Sequence, residues 1–192
     1  MTNNRPPAPE QSPNRASELR ALKSQSFAAW LLVSSLEWLA RSSMRTRLRV
    51  GRILTSVAWV TLRRRRRIAQ RNIELCFDDL SASERKKLLR EHFRALTQSF
   101  VDRSVIWFGT PDEIRAFVTV SGIEQIHAYT DRHEPAMLLA PHFIGLDAAA
   151  SRLTLAGPEG ATIYAEQRNK LIDDFVRLGR GRFHNVHLIS RR

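Results

Sequence analysis

The pattern of apolar and polar positions divides the chain into long helices first and short alternating elements later. Residues 27–40 are apolar, with Trp30 and Trp38 near the ends and interruptions at Ser34, Ser35 and Glu37. Residues 53–62 form a second apolar run, with Trp59 near its end. Both are shorter than the roughly twenty residues that cross a bilayer. Residues 65–75 predict a helix with Ile68, Ile73 and Leu75 as its apolar positions. Further on, Leu88, Leu89, His92, Phe93, Leu96, Phe100, Ser104 and Trp107 recur every three or four residues, which predicts a long amphipathic helix. Ser81-Ala-Ser-Glu84 opens that helix as a capping box, the serine covering a free amide and the glutamate reaching back. Gly109 closes it. Thr110-Pro-Asp-Glu113 starts another helix in the same way, with proline at the first helical position.

Beyond that point the period changes. Residues 117–120 alternate like a short strand. Residues 122–130 read as a helix with Ile123 and Ile126 inward. Residues 136–140 are an apolar run of strand length, ended by Pro141, which cannot donate to a ladder. Asp147 opens a good helix-forming run that Gly157-Pro158 stops. A strand over 161–165, a helix over 170–182 and a strand over 185–189 complete the series. Strands alternating with helices predict an α/β domain whose parallel or mixed sheet is joined by crossover helices.

Composition adds two things. At 43% hydrophobic and 26% charged the chain is globular in class, with 192 residues to build a core. The formal charge of +12 suits an anionic partner: nucleic acid, anionic lipid or an acidic protein. The charge is concentrated, with eleven arginines and no Asp or Glu between residues 41 and 71. Arginines beside Trp-bearing apolar runs predict a helical hairpin lying in a membrane interface, rings at headgroup level and guanidinium groups on lipid phosphate. Arg63–Arg67 alone favours a nucleic-acid contact, with a solvated helix face as the plain alternative; the flanking tryptophan-bearing segments shift the balance to the membrane surface. The first seventeen residues hold four of the eight prolines and read as a disordered leader. The expected organisation is a leader over 1–20, a basic and apolar helical segment over 21–75, and an α/β domain over 76–192. Cys76, the one cysteine, excludes an internal disulfide, has no metal-ligand cluster around it and reads as a packing residue.

The chemistry concentrates in His142-Phe-Ile-Gly-Leu-Asp147. His142 is expected in the turn past the carboxyl end of the 136–140 strand, the edge at which open α/β sheets bind ligands. Gly145 gives the backbone room to bend, and Asp147 falls in the first turn of the next helix. A neutral imidazole can take a proton from a hydroxyl attacking a carbonyl. A carboxylate behind it fixes the tautomer and stabilises the imidazolium. No Ser or Cys nucleophile neighbours His142, so the hydroxyl would be the substrate's. The plain alternative is a histidine that packs or caps a strand–helix turn. His92, His127 and His133 read as packed or solvent-facing residues.

The His142-x4-Asp147 segment resembles the His-x4-Asp/Glu motif of the late, lauroyl/myristoyl-type lipid A biosynthesis acyltransferases. The similarity continues through Arg67-Ile-Ala-Gln-Arg-Asn72-Ile-Glu-Leu-Cys-Phe77, Ser81-Ala-Ser-Glu-Arg85, Val120-Ser-Gly122-Ile-Glu124, Ile163-Tyr164, Asn169-Lys-Leu-Ile-Asp173 and Gly179-Arg-Gly-Arg182-Phe. The resemblance implies a glycerol-phosphate-acyltransferase-like mixed sheet with crossover helices, preceded by an N-terminal helical membrane-associated segment. It implies transfer of a fatty acyl chain from acyl carrier protein to a hydroxyl of an anionic lipid A precursor, on the cytoplasmic face of the inner membrane. No cofactor, metal, covalent enzyme intermediate or nucleic acid partner is implied. His142 would be the base and Asp147 its orienting carboxylate. Amides near Gly145 would help hold the oxyanion, and Arg168, Asn169, Arg182 and Arg191 would contact substrate. Where many family members carry an arginine directly after the tyrosine, this chain has Ala165, with Arg168 the nearest arginine. Family members run well beyond the position matching Arg192, so the resemblance also implies a truncated and incomplete acyltransferase domain. Three other readings stay open: a truncated inactive homologue, a non-catalytic basic protein binding membrane or nucleic acid, and a phospholipid-pathway acyltransferase, which shares His-x4-Asp.

Overall fold

The computed structural model describes residues 16–183 and 186–191. Nine α-helices and two strands are present among them: α1 (Ala16–Ala21), α2 (Phe27–Arg41), α3 (Met44–Thr61), α4 (Arg63–Cys76), α5 (Ala82–Phe108), α6 (Pro111–Phe117), α7 (Ile123–Thr130), α8 (Leu146–Ala156), β1 (Gly160–Tyr164), α9 (Lys170–Arg180) and β2 (Val186–Ser190).

The central element is α5. Ser81 accepts from the Glu84 amide while the Glu84 carboxylate accepts from Ser81, so the predicted capping box forms. Its buried stripe is Leu89, Phe93, Thr97, Val101, Ser104 and Val105, continuing into Ile106–Phe108. Helices α2, α3, α4, α6, α8 and α9 all pack on it. The main core joins Leu19, Val33, Leu36, Val101, Trp107 and Phe175 from four helices, α1, α2, α5 and α9. A smaller core forms where Ala58, Leu89 and Phe93 meet Trp59, Ala69 and Ile73. The contact of α3 on α5 is close because Gly51, Thr55 and Ala58 recur along one face of α3. Thr55 and Thr97 hydroxyls meet at 2.7 Å, and the side-chain amide of Gln98 occupies the space where Gly51 lacks a Cβ.

The N-terminal region departs from a simple interfacial hairpin, because α2 and α3 each use one face against α5. Glu37, an apparent break in an apolar run, is 8% exposed and faces Arg20 and Lys23. Within the stretch 1–20 expected as a leader, α1 begins at Ala16 and Leu19 is fully buried. The rest of that leader lies outside the described residues. Cys76 is exposed at the end of α4, as are Ile68 and Leu75, so only Ile73 of the predicted α4 stripe reaches the core. No described helix is long and apolar enough to cross a membrane.

In the second half, β1 and β2 pair in parallel with Thr162 opposite Leu188, and α9 is their crossover. Two predicted strands do not form among the described residues. Helix α6 continues through Phe117, with the Val118 amide bonded to Ile114, because the Thr110–Glu113 capping box nucleates a helix that carries Phe117 onto the core. Residues 136–140 have no partner ladder, and Met137 and Leu139 are almost wholly exposed. The architecture is therefore mainly helical, with a small two-stranded parallel sheet.

Candidate functional site

Helices α5, α8 and α9 converge on one carboxylate. Asp147 lies in the first turn of α8, where a negative charge suits the helix dipole. It is only 9% exposed. Arg103 of α5 donates to Oδ2 through Nε at 3.1 Å and Nη2 at 2.6 Å. Arg180 of α9 approaches Oδ1 through Nε at 2.9 Å and Nη2 at 2.8 Å. Four guanidinium nitrogens thus occupy the two oxygens, close to the capacity of an ionised carboxylate. Arg103 is fixed further by a bond from Nη1 to the Ser99 carbonyl and by the rings of Phe100 and Trp107 at 4.7 and 5.6 Å. Arg180 can reach Asp147 because its neighbour Gly179 lets α9 lie against α5. A methyl at Gly179 would sit 2.5 Å from the Trp107 ring.

His142 occupies the exposed turn that leads into α8. The Phe143 amide bonds to the Pro141 carbonyl at 3.0 Å, and the Leu146 amide to the Phe143 carbonyl at 3.2 Å. The turn is not preceded by a strand, so His142 does not sit at a strand mouth. Gly145 has φ −81°, which any residue adopts; what its missing side chain admits is the Phe143 ring, 3.2 Å from where a Cβ would be. His142 and Asp147 share no hydrogen bond.

The remaining predicted contacts separate into two kinds. Arg168 lines an open polar hollow with Tyr164, Gln167, Lys170 and Arg177 at the carboxyl end of β1. Arg191 is exposed just past β2, its amide bonded to the Tyr164 carbonyl. By contrast, Asn169 caps α9 by accepting from the Ile172 amide at 3.2 Å. Arg182 is 2% exposed and donates to the Ile106 and Gly109 carbonyls at the end of α5. Burial, reinforced by the charge of Arg20 and opposed by Glu113, lowers its pKa to about 10, leaving it charged at neutral pH. These two bonds close a helix end. In the Gly179-Arg-Gly-Arg182 segment it is Arg180, and not Arg182, that meets Asp147. Arg103, on the flank of a helix with no motif around it, gave no signal at all. Among the described residues no group of His, Cys, Asp and Glu is placed to hold a metal ion.

Residues 13–192 match the model of the bacterial lipid A biosynthesis acyltransferase family. The chain is 31% identical over 142 residues to a lipid A biosynthesis palmitoleoyltransferase of Escherichia coli (strain K12), an alignment covering 74% of this chain and 46% of that protein. It is 29% identical over 144 residues to the lauroyltransferase of the same strain, covering 75% and 46%. It is 26% identical over 161 residues to the myristoyltransferase, covering 82% and 49%. The chain spans about half the length of the curated relatives it matches. No solved structure gives a significant match. The chain belongs to the bacterial lipid A biosynthesis acyltransferase family.

Proposed function

We propose that this chain carries the catalytic half of an enzyme that transfers a fatty acyl group from acyl carrier protein to a hydroxyl of a lipid A precursor, at the cytoplasmic face of the inner membrane. The observation that carries the reading is the family match over residues 13–192, beside the similarity to relatives named for three different acyl groups. His142 takes the proton from the acceptor hydroxyl as that oxygen attacks the thioester carbonyl. The thiolate leaves and the acyl group stays on the acceptor, with no covalent enzyme intermediate. The exposure of the His142 turn supports access by a lipid hydroxyl. Asp147 orients the imidazole and balances its charge. Its oxygens are engaged by Arg103 and Arg180, so a bond to His142 shares an oxygen that an arginine holds in place. Gly145 leaves the start of α8 without a side-chain cap; the Leu146 amide is already bonded to the Phe143 carbonyl, so the Asp147 and Ala148 amides would be the ones to receive an oxyanion. Arg168 and Arg191, both exposed, contact acceptor phosphate.

The N-terminal helices seat the enzyme on the membrane. Phe27, Trp30, Leu31 and Trp38 of α2 and Ile53, Val57 and Val60 of α3 are all about half exposed or more. Arg45, Arg49, Arg64, Arg65 and Arg67 have no partner among the described residues. Acyl transfer from acyl carrier protein to a lipid A precursor in membrane vesicles, followed by mass spectrometry, tests the catalytic reading. His142→Ala is expected to lower the rate by about a hundredfold or more while vesicle binding persists. Undiminished transfer by that variant overturns the role of His142.

A further inference from the structure

We propose that Arg103 and Arg180 are positioning residues for His142, acting through Asp147. The inference rests on the reading of His142 as the base. Asp147 is reached from two other helices, by residues 44 and 33 positions away in sequence. Each arginine puts two nitrogens on one oxygen, and only the pair together holds both oxygens, which fixes the carboxylate in orientation as well as in place. A buried ion cluster of this kind is poor evidence for stability alone, since an apolar replacement of similar volume often serves as well. What an apolar replacement does not supply is a fixed direction.

That direction is passed to the turn. Asp147 is the second residue of α8, and the turn carrying His142 ends at the α8 start. Leu146 bonds back to Phe143, the Phe143 amide bonds to Pro141, and the Phe143 ring rests on Gly145. A shift of Asp147 therefore moves the segment that bears His142. The two arginines are not equivalent. Arg103 has the Ser99 carbonyl and two aromatic rings to hold it, with its side chain 21% exposed. Arg180 has a side chain 34% exposed and leans on the close approach at Gly179. Arg180 is thus the half of the clamp that can be altered with least damage to the core.

The test is a double-mutant cycle in the 192-residue chain, measured as single-turnover acyl transfer from acyl carrier protein to lipid A precursor in vesicles. Arg180→Met is expected to lower the rate constant about tenfold, the scale of a small misplacement of a reacting group, with donor KM within about twofold. Arg180→Lys keeps the charge but loses the fork, and is expected to show the same loss. Combined with His142→Ala, either substitution should cause no further loss, because it acts through the histidine. A multiplied loss in the double variant overturns the inference, as does full activity of Arg180→Met or Arg180→Lys. Retained activity of His142→Ala alone is a different result, and removes the catalytic reading itself. A second readout needs no turnover. The side-chain NMR signals of His142 are expected to broaden or shift in Arg180→Lys at unchanged thermal midpoint, and identical spectra count against the clamp.

Discussion

Glu37 lies within an apolar run yet is almost fully buried, because α2 turns it toward two cations and away from solvent. Burial by itself would raise its carboxyl pKa, but hydrogen bonds from Lys23 and Arg20, with their charges, hold it below the ordinary glutamate range. The sign of the consequence follows. A carboxylate with a lowered folded-state pKa contributes stability that is complete above its unfolded value, and that is lost as pH falls through the folded one. Arg20 is 46% and Lys23 29% exposed in their side chains, so solvent screens both pairs. Glu37→Gln is therefore expected to cost about 1 kcal/mol at pH 7, near the value of an ordinary hydrogen bond. Urea unfolding at a series of pH values checks it: the gap between wild type and variant should close as pH drops below the glutamate range. A gap that persists unchanged into strong acid would show that the pairing is not what the substitution removed. The same residue removes an apparent puzzle of a charge in an apolar segment, since it points into the protein.

Helices were legible in the chain where local chemistry decides them. The Ser81 capping box needs only residues three apart, and α5 starts where the pattern says. Ser81→Ala is expected to destabilise by about 1 kcal/mol and to fray the first turn of α5. Hydrogen exchange of the amides of residues 83–85 should accelerate in that variant, while exchange at Val101 follows only the global change. Strands were legible only where a partner exists. Residues 160–164 and 186–190 find each other in parallel register across α9. The 136–140 run has the same apolar character but no ladder among the described residues, and remains exposed. The 117–120 run lost to a helix start seven residues upstream. Asp147 was identifiable from its spacing to His142, but its partners were not. Arg103 and Arg180 come from distant helices, and nothing local to either distinguishes a clamp from a solvated arginine.

At the scale of the molecule, α5 divides the surface into two chemistries. Helices α8 and α9 bring the His142 turn and Asp147 to one region, while α2, α3 and α4 lay an apolar ridge beside unpaired arginines. The start of α4 breaks a local rule: Arg63 to Arg67 crowd the positive end of the helix dipole, with no acidic residue in the first turn. Arg66 has a structural reason, since it donates to the Trp59 carbonyl and lies 4.8 Å from the Trp59 ring centre. Arg64, Arg65 and Arg67 have no partner among the described residues, which points outward to an anion. If that anion is lipid phosphate, each arginine near the surface contributes about 1 kcal/mol. Replacing all three by glutamine should then weaken binding to vesicles containing anionic lipid by about a hundredfold at low salt. At about 0.5 M salt, where screening acts over only a few ångströms, the difference should nearly vanish. Trp30→Ala together with Trp38→Ala should instead weaken binding at every salt concentration, because the apolar term is not screened. Flotation of the chain with neutral and anionic vesicles separates the two contributions. Binding that ignores the arginines and the lipid charge alike would leave the basic start of α4 to a different partner, and a DNA mobility assay at the same salt is then the discriminating measurement.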